Sequence, residues 1–126
     1  MIQRNLSDTS KLGTKLPIAL SVRAGDFVFV SGQAALGPHG DIEGGIAAQS
    51  EATIQRIAIV LEEAGCTLAD VVKATVWLCD ARDFGPFNEV FRKYFGAALP
   101  ARSTLVSDLV VDGKVEIEVT AYKPLP

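Results

Sequence analysis

The run Val115-Glu116-Ile117-Glu118-Val119-Thr120-Ala121-Tyr122 constrains the fold most. Val115, Ile117, Val119 and Ala121 fall on one face of an extended chain, and Glu116, Glu118, Thr120 and Tyr122 on the other. Strict period-two alternation marks a strand with one face on a core. The segment Leu99-Pro100-Ala101-Arg102-Ser103-Thr104-Leu105 reads together with it, because Arg102 stands where a helix has ended and a strand begins. Ser103–Val110 has strand character and the following corner, Val110-Val111-Asp112-Gly113, carries an Asp-Gly turn signal. The expectation is a hairpin in which Arg102 faces a carboxylate on the neighbouring strand. Such a pair suits a small carboxylate substrate with a water activated beside it. The plainer reading is that charged residues alternating with Val and Ile form the solvated face of a half-buried sheet.

The chain has 126 residues, which suits a single domain over 1–126. Hydrophobic residues make up 48% of it, enough for a core with apolar surface left over, and in a small domain that surplus points to a homo-oligomer. The formal net charge is −3 with Lys and Arg scattered, so no basic stripe supports nucleic-acid binding. The N-terminal residues lack the apolar run of a signal peptide, and no stretch has the length of a membrane span. The expected location is cytoplasmic.

Cys66 and Cys79 are the two cysteines, with no spacing typical of a metal site, and both read as reduced structural thiols. His39 is the sole histidine, in the turn Gly37-Pro38-His39-Gly40, with nothing near it in sequence to orient it. Histidine triads are thereby nearly excluded, and acid–base chemistry must rest on carboxylates or water. No metal or cofactor is expected.

Residues 1–18 read as polar and irregular. Leu20–Arg23 and Phe27–Ser31 read as strands joined at Ala24-Gly25-Asp26. Phe27-Val28-Phe29-Val30 is apolar on both faces, which argues for a central strand, and Gly32 at its end marks a bulge or a close approach. Over Ile46–Ala64 the spacing predicts a helix with Ile46, Ile54, Ile57, Ala58, Leu61 and Ala64 on one stripe and Gln49, Gln55, Arg56, Glu62 and Glu63 mostly off it. Gly65 fits its C-terminal stop, and Thr67–Asp70 a capping box. Val71–Cys79 reads as a strand with Trp77 on its second face, lining a pocket or a packing contact. Phe84–Phe95 predicts a second helix with an aromatic stripe of Phe84, Phe87, Phe91, Tyr94 and Phe95, core by its spacing, and Asn88 off that stripe. The order β-β-α-β-α-β-β implies an α+β fold with a right-handed crossover and both helices on one sheet face.

Several of these segments, taken together, resemble the Rid family, also called the YjgF family. They are Phe27–Gln33, Leu61–Gly65, Asp70–Val76, Asp83-Phe84 with Asn88, Pro100-Ala101-Arg102-Ser103 and Lys114–Glu118. The resemblance implies a chorismate-mutase-like subunit forming a homotrimer with clefts at the subunit interfaces. It implies a cofactor-free deaminase that hydrolyses reactive 2-imino or enamine acids to 2-keto acids and ammonia. Arg102 matches the family's essential arginine and Glu116 its site glutamate, while Ser31, Gly32 and Asn88 match site-lining positions. A guanidinium grips a carboxylate bidentately, and Glu116 would hold and deprotonate the attacking water. Backbone groups around Ser103-Thr104 and Gly32 would take the remaining polar atoms of the substrate.

Two positions depart from the family pattern. Ile18 lies in the loop where many members carry tyrosine, and Thr104 stands where many carry cysteine. Both imply a different substrate range. The alternative to an enzyme is a non-catalytic trimer that binds a 2-keto acid or similar carboxylate; an acidic group beside an anionic ligand serves a hydrolase and not a binder. A nuclease or translation-inhibiting role, attached to the family, runs against the acidic charge.

Overall fold

The computed structural model describes residues 1–6, 16–37 and 40–126; Pro38 and His39 lie outside them. Six strands form one sheet: β1 (Ile2–Asn5), β2 (Ser21–Ala24), β3 (Phe27–Gln33), β4 (Val71–Leu78), β5 (Ala101–Val106) and β6 (Val115–Tyr122). Among the described residues the α-helices are α1 (Ile46–Glu63) and α2 (Phe84–Phe95). The spatial order is β1-β2-β3-β6-β4-β5, antiparallel throughout except for the parallel pair β4 and β5. The fold is α+β.

Local chemistry sets most of these elements. Gly25 turns the β2–β3 hairpin at φ +61°, a conformation glycine adopts without Cβ strain. Gly65 ends α1 at φ +78°, with Cys66 N–H donating to Leu61 O at 2.8 Å and Gly65 N–H to Glu62 O at 3.0 Å, a Schellman stop. The expected box at Thr67 forms, Asp70 Oδ2 accepting the Thr67 N–H at 2.8 Å.

Both helices share one core with a single sheet face. Val28, Val30, Ala74, Val76, Leu78, Val115, Ile117, Val119 and Ala121 meet Ile54, Ile57 and Leu61 of α1 and Phe87, Phe91 and Phe95 of α2. Each fully buried ring or branched side chain contributes about 1.5–3 kcal/mol. On the second face Phe27, Phe29 and Tyr122 remain 43%, 47% and 44% exposed, with Phe27 edge-on to Tyr122 at 5.2 Å.

Four expectations need correction. Residues 2–5 form β1, held by main-chain pairing to β2 rather than by apolar burial, so its polar sequence concealed it. The strand opened by Arg102 ends at Val106 rather than Val110. It makes no hairpin with β6: β5 lies parallel to β4, and the 107–114 segment straddles the end of β4, so that β6 enters between β3 and β4. Ser107 N–H donates to Leu78 O at 2.9 Å and Cys79 N–H to Lys114 O at 3.1 Å, anchoring both ends of that crossing. Finally, Gln49 is buried rather than off the apolar stripe. Its amide donates to Gly44 O at 2.7 Å and accepts the Lys114 N–H at 2.8 Å, tying the start of α1 to the start of β6.

Candidate active site

Pro100 disfavours helix for Leu99, and the chain leaves α2 to run extended through Arg102. In register Arg102 lies beside Ala74 and Thr104 beside Val76, so both side chains project from the helix-covered face. There the guanidinium carbon lies 4.7 Å from the Phe91 ring centroid, 5.3 Å from Phe87 and 5.8 Å from Phe84. Nη2 donates to Asn88 Oδ1 at 2.7 Å. The rings and the amide fix one side of the fork, and among the described residues no carboxylate pairs with it. Burial pushes the guanidinium below its ordinary pKa, yet it stays a cation at any working pH. A cavity of about 540 Å3 opens beside it, lined by Asn88, Phe91, Arg92, Leu99, Pro100 and Arg102.

Glu116 projects from the other face. It lies in register with Trp77, on the side away from the core. Its carboxylate rests against Gly32, where a methyl group would collide with Oε2. Gly32 belongs to a bulge, since β3 advances from Val30 to Gln33 while β6 advances only from Val119 to Ile117. Burial raises the carboxyl pKa, and the like charge of Glu118 adds to the rise.

The residues singled out by sequence thus separate into two groups. Arg102, Asn88 and Thr104 share the helix-covered side. Ser31 and Gly32 at the bulge lie with Glu116 on the other side of the barrier made by β4. The Ser31 hydroxyl donates to Ala19 O at 2.6 Å and is committed to that loop. Ser103 points away from the arginine, beside Thr75 in register, and takes a 3.5 Å hydrogen bond from Lys73 Nζ. The expected facing of Arg102 by a carboxylate on the next strand does not occur, because β4 intervenes and the two side chains leave opposite faces. Sequence reasoning also assigned the α2 aromatics to core alone. Phe87 and Phe91 are core, but both also underlie the guanidinium, and Asn88, one step from Phe87, was the signal for it.

A second cavity, about 350 Å3, lies where β1 and β2 meet the end of α1 and includes Arg23. The Arg23 guanidinium is spent on Gly25 O, Lys123 O and Ala64 O, which makes it a staple between elements. Among the described residues no cluster of His, Cys, Asp and Glu is placed to hold a metal ion.

Residues 13–123 match the family model described as endoribonuclease L-PSP, the YjgF or Rid group. The chain belongs to this family. This member is 44% identical over 110 residues to a RutC family protein of Pyrococcus abyssi, spanning 85% of this chain and 87% of that one. It is 33% identical over 126 residues to the 2-iminobutanoate/2-iminopropanoate deaminase of Mus musculus, spanning 98% and 93%. Among solved structures, E. coli TdcF with bound serine superposes with a TM-score of 0.81 at 30% identity, covering 87% of this chain and 91% of that one.

Proposed function

We propose that this protein is a cofactor-free deaminase that hydrolyses 2-imino acids to 2-keto acids and ammonia. The observation that carries the reading is the Arg102 guanidinium: clamped by Asn88 and three rings, open to a cavity, and without a carboxylate partner among the described residues. An arginine so held is ready to take an external carboxylate through its free edge. The mouse relative's name gives the matching reaction class.

In this reading Arg102 binds the substrate carboxylate and Glu116 holds the water. Water oxygen bonds to the imine carbon while Glu116 accepts its proton. That proton passes to the nitrogen. The hydroxyl of the resulting carbinolamine then gives its own proton, by way of the same carboxylate, to the nitrogen, the carbon–nitrogen bond breaks, and ammonia leaves as the carbonyl forms. A carboxyl with a raised pKa is a stronger base for this step than an ordinary one. Arg102 and Glu116 occupy opposite faces of the sheet, so a complete site takes one residue from each of two copies. We therefore include a homotrimer of single-domain subunits with clefts at their interfaces, and a cytoplasmic location. Among the described residues no helix is long and apolar enough to cross a membrane.

The test generates imines in situ with an amino-acid oxidase, with semicarbazide competing for them. Wild type is compared with Arg102→Ala and Glu116→Gln across a panel of amino acids. Faster imine loss with wild type, abolished by Arg102→Ala, supports the enzyme. Loss at the buffer rate across the panel overturns it. Serine bound to TdcF favours a second reading, a non-catalytic carboxylate binder. That reading takes over if wild type is inactive yet 2-keto acids raise its melting temperature.

A further inference from the structure

Gly32 has a reason to be glycine that its backbone does not supply. Its φ is outside the left-handed region, where Gly25, Gly40, Gly44 and Gly65 lie, so an L-residue is conformationally acceptable there. Nor does the core crowd it, because Gly32 is exposed. The three atoms nearest a Cβ at this position all belong to Glu116: it would overlap Oε2 and approach Cδ at 3.2 Å and Cγ at 3.4 Å. The bulge between Val30 and Gln33 is what brings the extra residue of β3 alongside this carboxylate.

We infer that Gly32 is a positioning residue: the space of its missing side chain is the seat that holds the Glu116 carboxylate down against β3. The inference rests on the reading of Glu116 as the base. It gives Gly32 a part distinct from substrate contact. The seat has two chemical consequences. It removes much of the carboxylate from water, in keeping with the upward push on its pKa by burial. It also confines the rotamers of a long side chain, so that the basic oxygens stay at one height above the sheet. General-base catalysis depends on such placement, and a displacement of about 1 Å lowers turnover by as much as about a hundredfold.

Gly32→Ala is a clean probe because the colliding atoms are the far end of a flexible side chain, which can swing out without disturbing the strand. The expected result is a fall in kcat of about tenfold to a hundredfold with KM changed less than about twofold, and a melting temperature near that of wild type. Gly32→Ser should give the same result. In a Glu116→Gln background Gly32→Ala should have no further effect. A second readout needs no turnover: the side-chain carboxyl of Glu116, followed by carbon NMR, should titrate lower in Gly32→Ala than in wild type. Wild-type kcat in Gly32→Ala, or an equal loss in the Glu116→Gln background, overturns the inference while leaving the deaminase reading intact. An unchanged Glu116 titration overturns the seat itself. If the titration moves but wild type hydrolyses no imine, the deaminase reading fails and the seat stands.

Discussion

Arg102 and Glu116 leave opposite faces of one sheet, with β4 running between their strands. Strands two places apart are separated by about 10 Å, and the sheet's own thickness is added to that. A small imino acid cannot bridge the pair within one chain. Arg102→Ala and Glu116→Gln should each keep only a small residual activity alone and should complement when unfolded together and refolded. For sites shared between neighbours, random mixing restores about a quarter of them. Recovery of imine hydrolysis in the mixture is the check; no recovery would put both residues back in one chain's site.

The guanidinium's plane matters as well as its charge. Arg102→Lys keeps the cation but loses the fork that reaches Asn88 Oδ1 and the flat face on Phe91. A charge-assisted hydrogen bond is worth about 1.5–3 kcal/mol, so kcat/KM should fall at least about tenfold, chiefly through KM. Steady-state kinetics with unchanged thermal unfolding would establish it.

Burial first and Glu118 second raise the Glu116 pKa. The base works deprotonated, so kcat/KM should rise with pH through an inflection above the ordinary carboxylate range. Glu118→Gln removes the smaller cause, and the inflection should move down without returning to the ordinary value. The pH profiles of the two proteins, taken with one imine at low concentration, decide this.

Gln49 carries a structural load near the site. Its amide satisfies both Gly44 O and the Lys114 N–H, two residues before Glu116. Gln49→Ala leaves two polar groups without their partner, and the expected loss is about 1–3 kcal/mol. Urea unfolding measures it, with a lower midpoint and an unchanged slope as the expected outcome.

Which face of β6 meets the core was legible in the sequence; which strand lies next to which was not. The alternation from Val115 to Tyr122 separates core from second face correctly, and Phe27–Val30 reads rightly as central. Period two carries no information about neighbours, however. The Asp112-Gly113 signal is local, and it cannot reveal that the segment crosses the end of β4 before β6 begins. Ile2–Asn5 escaped because its strand is made by main-chain bonds, and Gln49 because an amide on an apolar stripe is explained only by its distant partners. Arg102, Asn88 and Glu116 could be singled out in the sequence as candidates, but the expected facing of Arg102 by Glu116 on the next strand fails because β4 lies between their strands.

The position of β6 has a consequence for the chain as it is made. β1-β2-β3 and β4-β5 share no strand pairing except through β6, which is synthesised after all of them. Until residues 115–122 arrive, β3 and β4 both present open hydrogen-bonding edges beside apolar side chains. Such edges recruit other extended chains. The strand that carries the proposed base is thus also the one that closes these two edges.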